Sequence, residues 1–308
     1  MVRIDQLKVP HGIGQALAIV NPAAGRGNAV RFWGRAEKVL RDKIDLEVIH
    51  TAEPQHANEI ARTEASSSGR PVIAVGGDGT INEVASGLLD AAGADNHTLP
   101  LGIIPSGSGN DFVKQLDIPV KPEDAARRLL TASKRRVDVG RAGDRYFVNG
   151  VGIGLDAAIA AEAQQIRWLR GAPLYGLAML RVMSTFKPRR ATVTLDGAVV
   201  ADRELTMVTV ANGPCCGGGF WLCPDARLDD GHFDVMVADT LSVVAALGLL
   251  ARSLRARHLD LRAVHHHHAG TVQVTSEHLL NAHVDGEILE GTHRLDIELL
   301  AQRLTVLA

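Results

Sequence analysis

Val72-Ile-Ala-Val-Gly-Gly-Asp-Gly-Thr-Ile-Asn-Glu83 decides how the first half of the chain is read. Val72 to Val75 is a short, β-branched apolar run, the pattern of a buried strand. Gly76 and Gly77 then let the backbone turn sharply and approach a ligand with no Cβ in the way. Asp78 places a carboxylate at the tip of that turn, where it can hold a divalent cation directly or through water. Gly79 and Thr80 offer backbone N–H groups and a hydroxyl to phosphate oxygens. Ile81 to Leu89 reads as a helix whose positive N-terminal end faces the same anion. A plain strand-to-helix turn with an acidic cap is the competing reading. The complete Gly-Gly-Asp-Gly-Thr run favours phosphate binding.

The neighbouring segments repeat the strand–loop–helix plan. Ala16 to Val20 is expected as a strand, Asn21 to Gly27 as a loop and Ala29 to Leu40 as a helix. Leu46 to His50 is the next strand, His56 to Ser66 a helix and Leu99 to Ile104 a further strand. Such alternation implies a mostly parallel sheet with helices on its faces. Ligands in such sheets sit outside the carboxyl ends of the strands. Asn21 to Gly27, Thr51, Gly76 to Glu83 and Ser106 to Asp111 all follow strands, so they fall on one edge of one sheet.

From Val137 onward short β-rich runs dominate: Tyr146 to Val148, Ala191 to Leu195, Leu205 to Val210, Phe233 to Val237, Thr271 to Thr275 and Arg294 to Leu299. Helical stretches at about Ala157 to Phe186 and Leu241 to Leu254 interrupt them. Strands joined by turns suggest a sandwich or barrel. The 308 residues exceed the usual single-core size of about 250–300. The division expected is an α/β domain over 13–135, joined by the C-terminal strand or strands over about 293–308, and a β-rich domain over 136–292.

Composition removes several classes. A net charge of −2 and a pI near 6.7 argue against general nucleic-acid binding. Cys215, Cys216 and Cys223 form neither a disulfide framework nor a common zinc pattern, so reduced thiols in a cytoplasmic protein are expected. No apolar run approaches the ~20 residues of a membrane span. Residues 1–12 lack the apolar centre of a signal peptide. A homodimer is compatible with the sequence.

Further motifs follow in a fixed order. After Asn21-Pro-Ala-Ala-Gly25 and Gly76 to Glu83 come Pro105-Ser-Gly-Ser-Gly-Asn-Asp-Phe112 and Asn149-Gly-Val-Gly-Ile-Gly-Leu-Asp156. Asn212-Gly213, Gly217-Gly-Gly219, Leu228-Asp-Asp-Gly231 and Val284-Asp-Gly-Glu287 complete the set. This ordered set resembles the diacylglycerol kinase catalytic family, in particular the bacterial lipid kinases related to sphingosine kinases. The likeness runs from about residue 14 to 308. The Gly-Gly-Asp-Gly-Thr motif alone is also shared with NAD kinases and phosphofructokinases.

The resemblance implies a NAD-kinase/phosphofructokinase-like nucleotide-binding domain followed by a β-rich sandwich domain. It implies ATP held by Asn21, Pro22, Ala23, Ala24, Gly25, Thr51, Gly77, Asp78, Gly79, Thr80, Ile81, Asn82, Glu83 and Ser108. The family usually has Thr where Ser108 stands, and Ser keeps the hydroxyl. Asp78 would sit in the catalytic Mg²⁺ network. Glu287, with Asp285 beside it, matches the base that takes a proton from the lipid hydroxyl. The Asp-Asp-Gly loop is similar to one holding a second, structural Mg²⁺, with Asp230 giving its carboxylate and Arg227 and His232 their carbonyls. The acceptor implied is a lipid alcohol, diacylglycerol first, and the location is cytoplasmic at the inner face of the membrane.

The chemistry asks for the same residue types. Phosphoryl transfer needs cradled phosphates, a cation to neutralise charge and a group to position the attacking hydroxyl. The sequence has no Gly-x-x-x-x-Gly-Lys-[Ser/Thr] loop and no His-Arg-Asp loop, so P-loop and protein-kinase sites are excluded. On an extended segment Asp285 and Glu287 would point to one face, and clustered carboxylates can raise one another's pKa. Asp285-Gly286 also suits a hairpin turn, and Asp229-Asp230 a solvated turn. A NAD-kinase-like enzyme with a soluble acceptor, or a nucleotide- or lipid-binding module without turnover, are the alternatives.

Three features stand outside this scheme. His265 to His268 resembles a metal tract but reads as a solvated loop ahead of a strand, far from the motifs. Arg167, Trp168, Arg170 and Lys187 to Arg190 flank the apolar stretch Leu174 to Phe186, which suits either an anionic membrane surface or an ordinary surface helix. Cys215 and Cys216 read as small fillers beside the glycine run rather than nucleophiles.

Overall fold

The computed structural model describes residues 13–93, 98–166, 168–169 and 171–308. Arg167 and Arg170 lie outside the described residues.

The first part is built as the apolar runs dictate. β1 (Gln15–Val20) leads through a short helical turn, α1 (Ala24–Gly27), into α2 (Ala29–Leu40). β2 (Asp45–His50), α3 (His56–Ser67), β3 (Val72–Gly76), α4 (Asp78–Ala92) and β4 (Leu101–Pro105) follow. The four strands pair in parallel in the order β4-β3-β1-β2. β1, β3 and β4 are apolar at nearly every position and buried at nearly every position, as strands covered on both faces must be. β2 alternates and lies at the sheet edge. In α2 the buried Trp33, Ala36 and Leu40 mark one stripe at helical spacing. α5 (Asp111–Gln115) and α6 (Pro122–Thr131) close this part, with α2 packed on α6 and α3 on α4.

The second part begins with β5 (Lys134–Ala142), β6 (Arg145–Phe147) and β7 (Gly150–Gly154). The stretch expected as one helix over Ala157 to Phe186 is two, α7 (Leu155–Gln165) and α8 (Gly171–Met183). Ile166 is extended at the end of α7, and Gly171 and Pro173 suit a new first turn better than the middle of a helix. β8 (Arg189–Leu195), β9 (Ala198–Ala211), β10 (Phe233–Asp239) and α9 (Val243–Ser253) come next. Ser242 caps α9, its Oγ accepting from the N–H of Ala245 at 3.2 Å. β11 (Val264–Ala269), β12 (Thr271–Val284) and β13 (Glu287–Leu307) complete the chain. The histidine run His265 to His268 is therefore strand, not loop: it pairs antiparallel with β10 along its whole length.

Alternation along these strands produces two cores. Phe233, Val235 and Val237 join a cluster made by the strands themselves, whereas Met236 and Ala238 face the cluster that α7, α8 and α9 complete. The interrupting helices thus cover the second face of the sheet. Among the described residues no helix is long and apolar enough to cross a membrane.

β13 links the two parts. It pairs antiparallel with β12 and with β5, and at Val306 it runs parallel to Leu101 of β4. Its pairing with β5 slips between Leu300 and Leu304, where Gln302 has φ 50°. The fully buried Asp138 fixes the irregularity: Oδ1 accepts from the N–H of Gln302 at 2.6 Å and Oδ2 from the N–H of Gly231 at 2.8 Å. Asp138→Ala should therefore remove two charge-assisted hydrogen bonds to backbone donors and lower stability by about 2–4 kcal/mol. Urea unfolding checks this, and a midpoint equal to that of the wild type would show that the carboxylate does not hold the crossing.

Candidate active site

The loops after the parallel strands meet at one sheet edge, as their positions in the sequence require. Asn21 follows β1, and its Nδ2 donates to Thr80 Oγ1 at 2.9 Å, while its Oδ1 accepts from the N–H of Ala23 at 3.0 Å. Pro22, Ala23 and Ala24 carry the chain into α1. Gly25, at φ 58°, passes so close to the carbonyl of Ser106 that a Cβ would lie 2.2 Å from its oxygen. Gly77 and Gly107 cross backbone to backbone, with room for no side chain on Gly107: its Cβ would stand 2.6 Å from Gly77 Cα. Thr51 stands at the end of β2 with its N–H on the carbonyl of Val20 at 2.9 Å, on the far side of Asn21 from β3.

The helix after β3 begins at Asp78, three residues before the expected start at Ile81, so Gly79 and Thr80 lie in its first turn. Asp78 Oδ1 accepts from the N–H of Phe112 at 3.2 Å, tying this loop to the one after β4. That second loop is folded by Asn110, whose Oδ1 accepts from the N–H of Gly107 at 3.1 Å and whose Nδ2 donates to its carbonyl at 3.0 Å. Asp111 comes next. Its Oδ2 accepts from the N–H of Gly218 at 2.7 Å, and its Oδ1 meets Lys114 Nζ at 3.1 Å. The glycine run Gly217 to Gly219 is thereby fastened to the nucleotide-type loops.

Asp285 and Glu287 do not share a face. Asp285 (φ 47°) and Gly286 (φ 85°) form the hairpin turn between β12 and β13, so the period of two that would align the pair does not apply. Asp285 turns inward. Its Oδ1 accepts from the N–H groups of Asn149 and Gly150 at 3.0 and 2.8 Å, and its Oδ2 from that of Val148 at 2.9 Å. Glu287 remains half-exposed, with Arg145 Nη1 at 3.3 Å, and opens onto a cleft lined by Asn82 and Glu83.

A cavity of about 310 Å³ joins the two parts of the molecule. Asp78, Ser108, Asp111 and Asp285 line it, as do the apolar Leu155, Leu174, Met179, Met207, Phe220 and Leu249. Burial, and then the charge of Asp111, raises the pKa of Asp78. Burial also lifts Asp285 to about 6 against the pull of its three amide donors, with the charge of Asp78 adding to the rise. His283 faces the same cavity with Asp156 Oδ2 3.5 Å away. Burial opposes a charged imidazole there, but Asp156 outweighs it and the pKa of His283 is raised.

Asp111, Asp156 and His283 received no role from the sequence. Asp111 and Asp156 lie within motifs already singled out, each shortly after a glycine-rich run, and that was the available signal. His283 had none beyond its place beside Val284. Cys215 is buried and its thiol is pushed up to about 12, chiefly by burial, which keeps it from acting as a thiolate.

The donors fit a nucleotide with a hard cation. Asp78 and Asp111 present converging carboxylates, and the buried Ser106 Oγ and Asn82 Oδ1 have no protein partner. The Asp-Asp-Gly loop lies away from this cavity. Asp230 Oδ1 is buried without a partner, its Oδ2 is 3.3 Å from His232 Nε2, and the Arg227 side chain turns toward Asp229 at 3.6 Å.

The pKa of Asp285 has a testable sign. Its folded value near 6 stands above the unfolded value of about 3.9. The native state therefore binds the extra proton, and stability falls as pH rises from about 4 to about 6. Carbon-13 NMR of labelled aspartate should show a carboxyl titrating near 6 that is missing from Asp285→Asn. A spectrum with every aspartate titrating at ordinary acid pH would contradict the burial argument.

Comparison with known proteins agrees with this architecture. Residues 15–142 match the diacylglycerol kinase catalytic domain, and residues 149–308 match the YegS C-terminal NAD kinase beta sandwich-like domain. The chain is 30% identical over 284 residues to a diacylglycerol kinase of Mycobacterium tuberculosis, covering 90% of each. The crystal structure of a diacylglycerol kinase from Bacillus anthracis superposes with a TM-score of 0.75 at 26% identity, covering 96% of both chains. An NAD kinase from Archaeoglobus fulgidus in complex with ATP shares the fold, with a TM-score of 0.51 at 13% identity over 96% of this chain and 93% of its own. With an NAD-kinase-like first domain, a sandwich-like second domain and the ordered loops between them, the chain belongs to the diacylglycerol kinase family of lipid kinases.

Proposed function

We propose that the protein transfers the γ-phosphate of ATP, with Mg²⁺, to the hydroxyl of a lipid alcohol, diacylglycerol being the first candidate. The observation that carries this reading is the cavity itself: Asp78, Asp111 and Asp285 line it together with a broad set of apolar side chains. An acyl chain against those side chains would bring a glycerol hydroxyl to the carboxylates. A soluble, charged acceptor has no use for such a lining, which weighs against the NAD-kinase-like alternative.

In this reading the loops at Asn21 to Gly25, Thr51, Gly77 to Glu83 and Ser108 take the nucleotide, with backbone N–H groups toward the phosphates. Asp78 and Asp111 would hold Mg²⁺, which neutralises charge on the transferred group. Glu287, which lines the adjoining cleft with Asn82 and Glu83 rather than the cavity itself, is assigned the proton from the lipid hydroxyl, because among the described residues its oxygens meet Arg145 alone, whereas both oxygens of Asp285 are committed to backbone donors. Asp285 then positions the turn on which Glu287 stands. Asp230, with the carbonyls of Arg227 and His232, would bind a second Mg²⁺ away from the chemistry.

The lipid has to leave a bilayer to enter. Trp168, Val243, Val244 and Leu180 expose apolar side chains on or just before α8 and α9, two of the helices that line the cavity. This supports a peripheral location at the inner face of the membrane, reached from the cytoplasm.

Labelled ATP offered with diacylglycerol, a sphingoid base, phosphatidylglycerol and NAD⁺ should yield a phosphorylated lipid and no phosphorylated dinucleotide; the opposite result would sink the reading. In the same assay Asp78→Asn should lose at least ~10²-fold in turnover. Glu287→Gln should lower kcat by ~10²–10⁴-fold with ATP affinity unchanged. An active Glu287→Gln beside a folded but inactive Asp285→Asn would move the base to Asp285.

Membrane contact has its own test. Val244 is 79% exposed, so Val244→Asp should fold normally. It should reduce vesicle co-sedimentation and phosphorylation of vesicle-borne lipid several-fold, while detergent-dispersed lipid is turned over at the normal rate. Equal loss in both formats would point to damage inside the cavity instead.

A further inference from the structure

The histidine run takes no part in the proposed reaction, yet β11 gives its members distinct surroundings. Side chains alternate along a strand, so His266 and His268 face one way and His265 and His267 the other. His265 pairs with Asp239 at 3.0 Å on its own side. His268 stands directly opposite Asp234 of β10, with Nε2 3.3 Å from Oδ1. His232, just before β10, brings its ring to 4.4 Å from that of His268, centroid to centroid. One ligand atom from each of His232, Asp234 and His268 lies within 4.8 Å of the other two.

We infer that His232, Asp234 and His268 form a binding site for a zinc-class divalent ion, which fastens the edge strand β11 to β10 and to the loop at Asp230. Two imidazole nitrogens with one carboxylate suit zinc, cobalt or nickel and are a poor set for magnesium. Zinc–nitrogen bonds of about 2.0–2.1 Å set tetrahedral ligand atoms about 3.3 Å apart. His268 and Asp234 already stand at 3.3 Å.

Asp230 Oδ2 lies 3.3 Å from His232 Nε2, so the Asp230 loop adjoins the three ligands without contributing one. The site differs from the Mg²⁺ position proposed at Asp230, which would use carbonyl oxygens of Arg227 and His232 and no ring nitrogen. It also has a structural use. β11 is the outermost strand of the sheet, and the Asp230 loop is the one Asp138 holds through Gly231.

The test uses the full chain, purified without a histidine tag and stripped with chelator. Zn²⁺ calorimetry and Co²⁺ visible spectra should report one tight site, and Zn²⁺ should raise the melting temperature. His268→Ala, at a side chain 64% exposed, should fold normally and bind Zn²⁺ at least about tenfold more weakly, as should His232→Ala. His267→Ala, in the same run but on the other face, should bind as the wild type does. Unchanged affinity in His268→Ala overturns the site. So does equal weakening by His267→Ala, which would mean binding by the tract as such, and so does displacement of Co²⁺ by equimolar Mg²⁺, which would mean a hard-cation site at Asp230.

Discussion

The crossing of β13 between the two halves is the constraint on which the cleft depends. One strand of 21 residues closes the β-rich part, runs beside β5 and ends against β4. A strand so long cannot keep one register against partners that twist differently, and it slips near Gln302. The slip takes the N–H of Gln302 out of the strand ladder. Asp138 takes it, and takes the N–H of Gly231 with its other oxygen. Asn212 completes the junction, its Nδ2 donating to the carbonyls of Asp138 and Val148, both at 2.9 Å. Val148 is also one of the donors to Asp285. The geometry of the hairpin at the cleft is thus tied, through a short chain of backbone groups, to the point where the halves join.

The first half was legible because its signals are local. Apolar strands, glycine turns and amphipathic helices each show their period within a dozen residues, and the parallel plan then forces the loops at Asn21, Gly76 and Ser106 to one edge. The second half was less legible because its determinants are distant. Nothing near His265 to His268 marks it as strand: a run of like polar side chains shows no alternation, and pairing with the apolar β10 decides the matter. The break in the helix after Gln165 was written in Gly171 and Pro173, yet the apolar periodicity across it pointed the other way. Asp285 and Glu287 were separated by a turn that a Asp-Gly pair announces, and the competing extended reading failed on that ground.

Electrostatics at the cleft runs against stability by design of the residues present. Asp78 and Asp285 both have raised pKa values, and for each the chief cause is burial, with a neighbouring carboxylate adding to it. Carboxylates gathered in a partly dry site destabilise their own charged forms. Such an arrangement is stable at neutral pH only where donors or cations answer it. Backbone N–H groups answer Asp285 completely and Asp78 in part, and Lys114 answers one oxygen of Asp111. The remaining negative potential faces the cavity, where a metal–nucleotide would meet it.

The same reasoning separates the two C-terminal carboxylates. A buried group held by three amide donors gains rigidity and loses the open lone pairs that a proton acceptor needs. Its neighbour two residues on, half-exposed and opposite Glu83, keeps those lone pairs. Burial raises the pKa of Glu83 against backbone donors at Gln55 and Ala57, and the charge of Glu287 adds a smaller rise, so the two acidic groups are close enough to sense each other across the cleft between the halves. The turn sends one carboxylate inward, saturated by backbone donors, and leaves the other outward beside Arg145. Under the proposed reaction the inward group would hold the turn and the outward one would take the proton, since a saturated carboxylate lacks the lone pair that a proton needs.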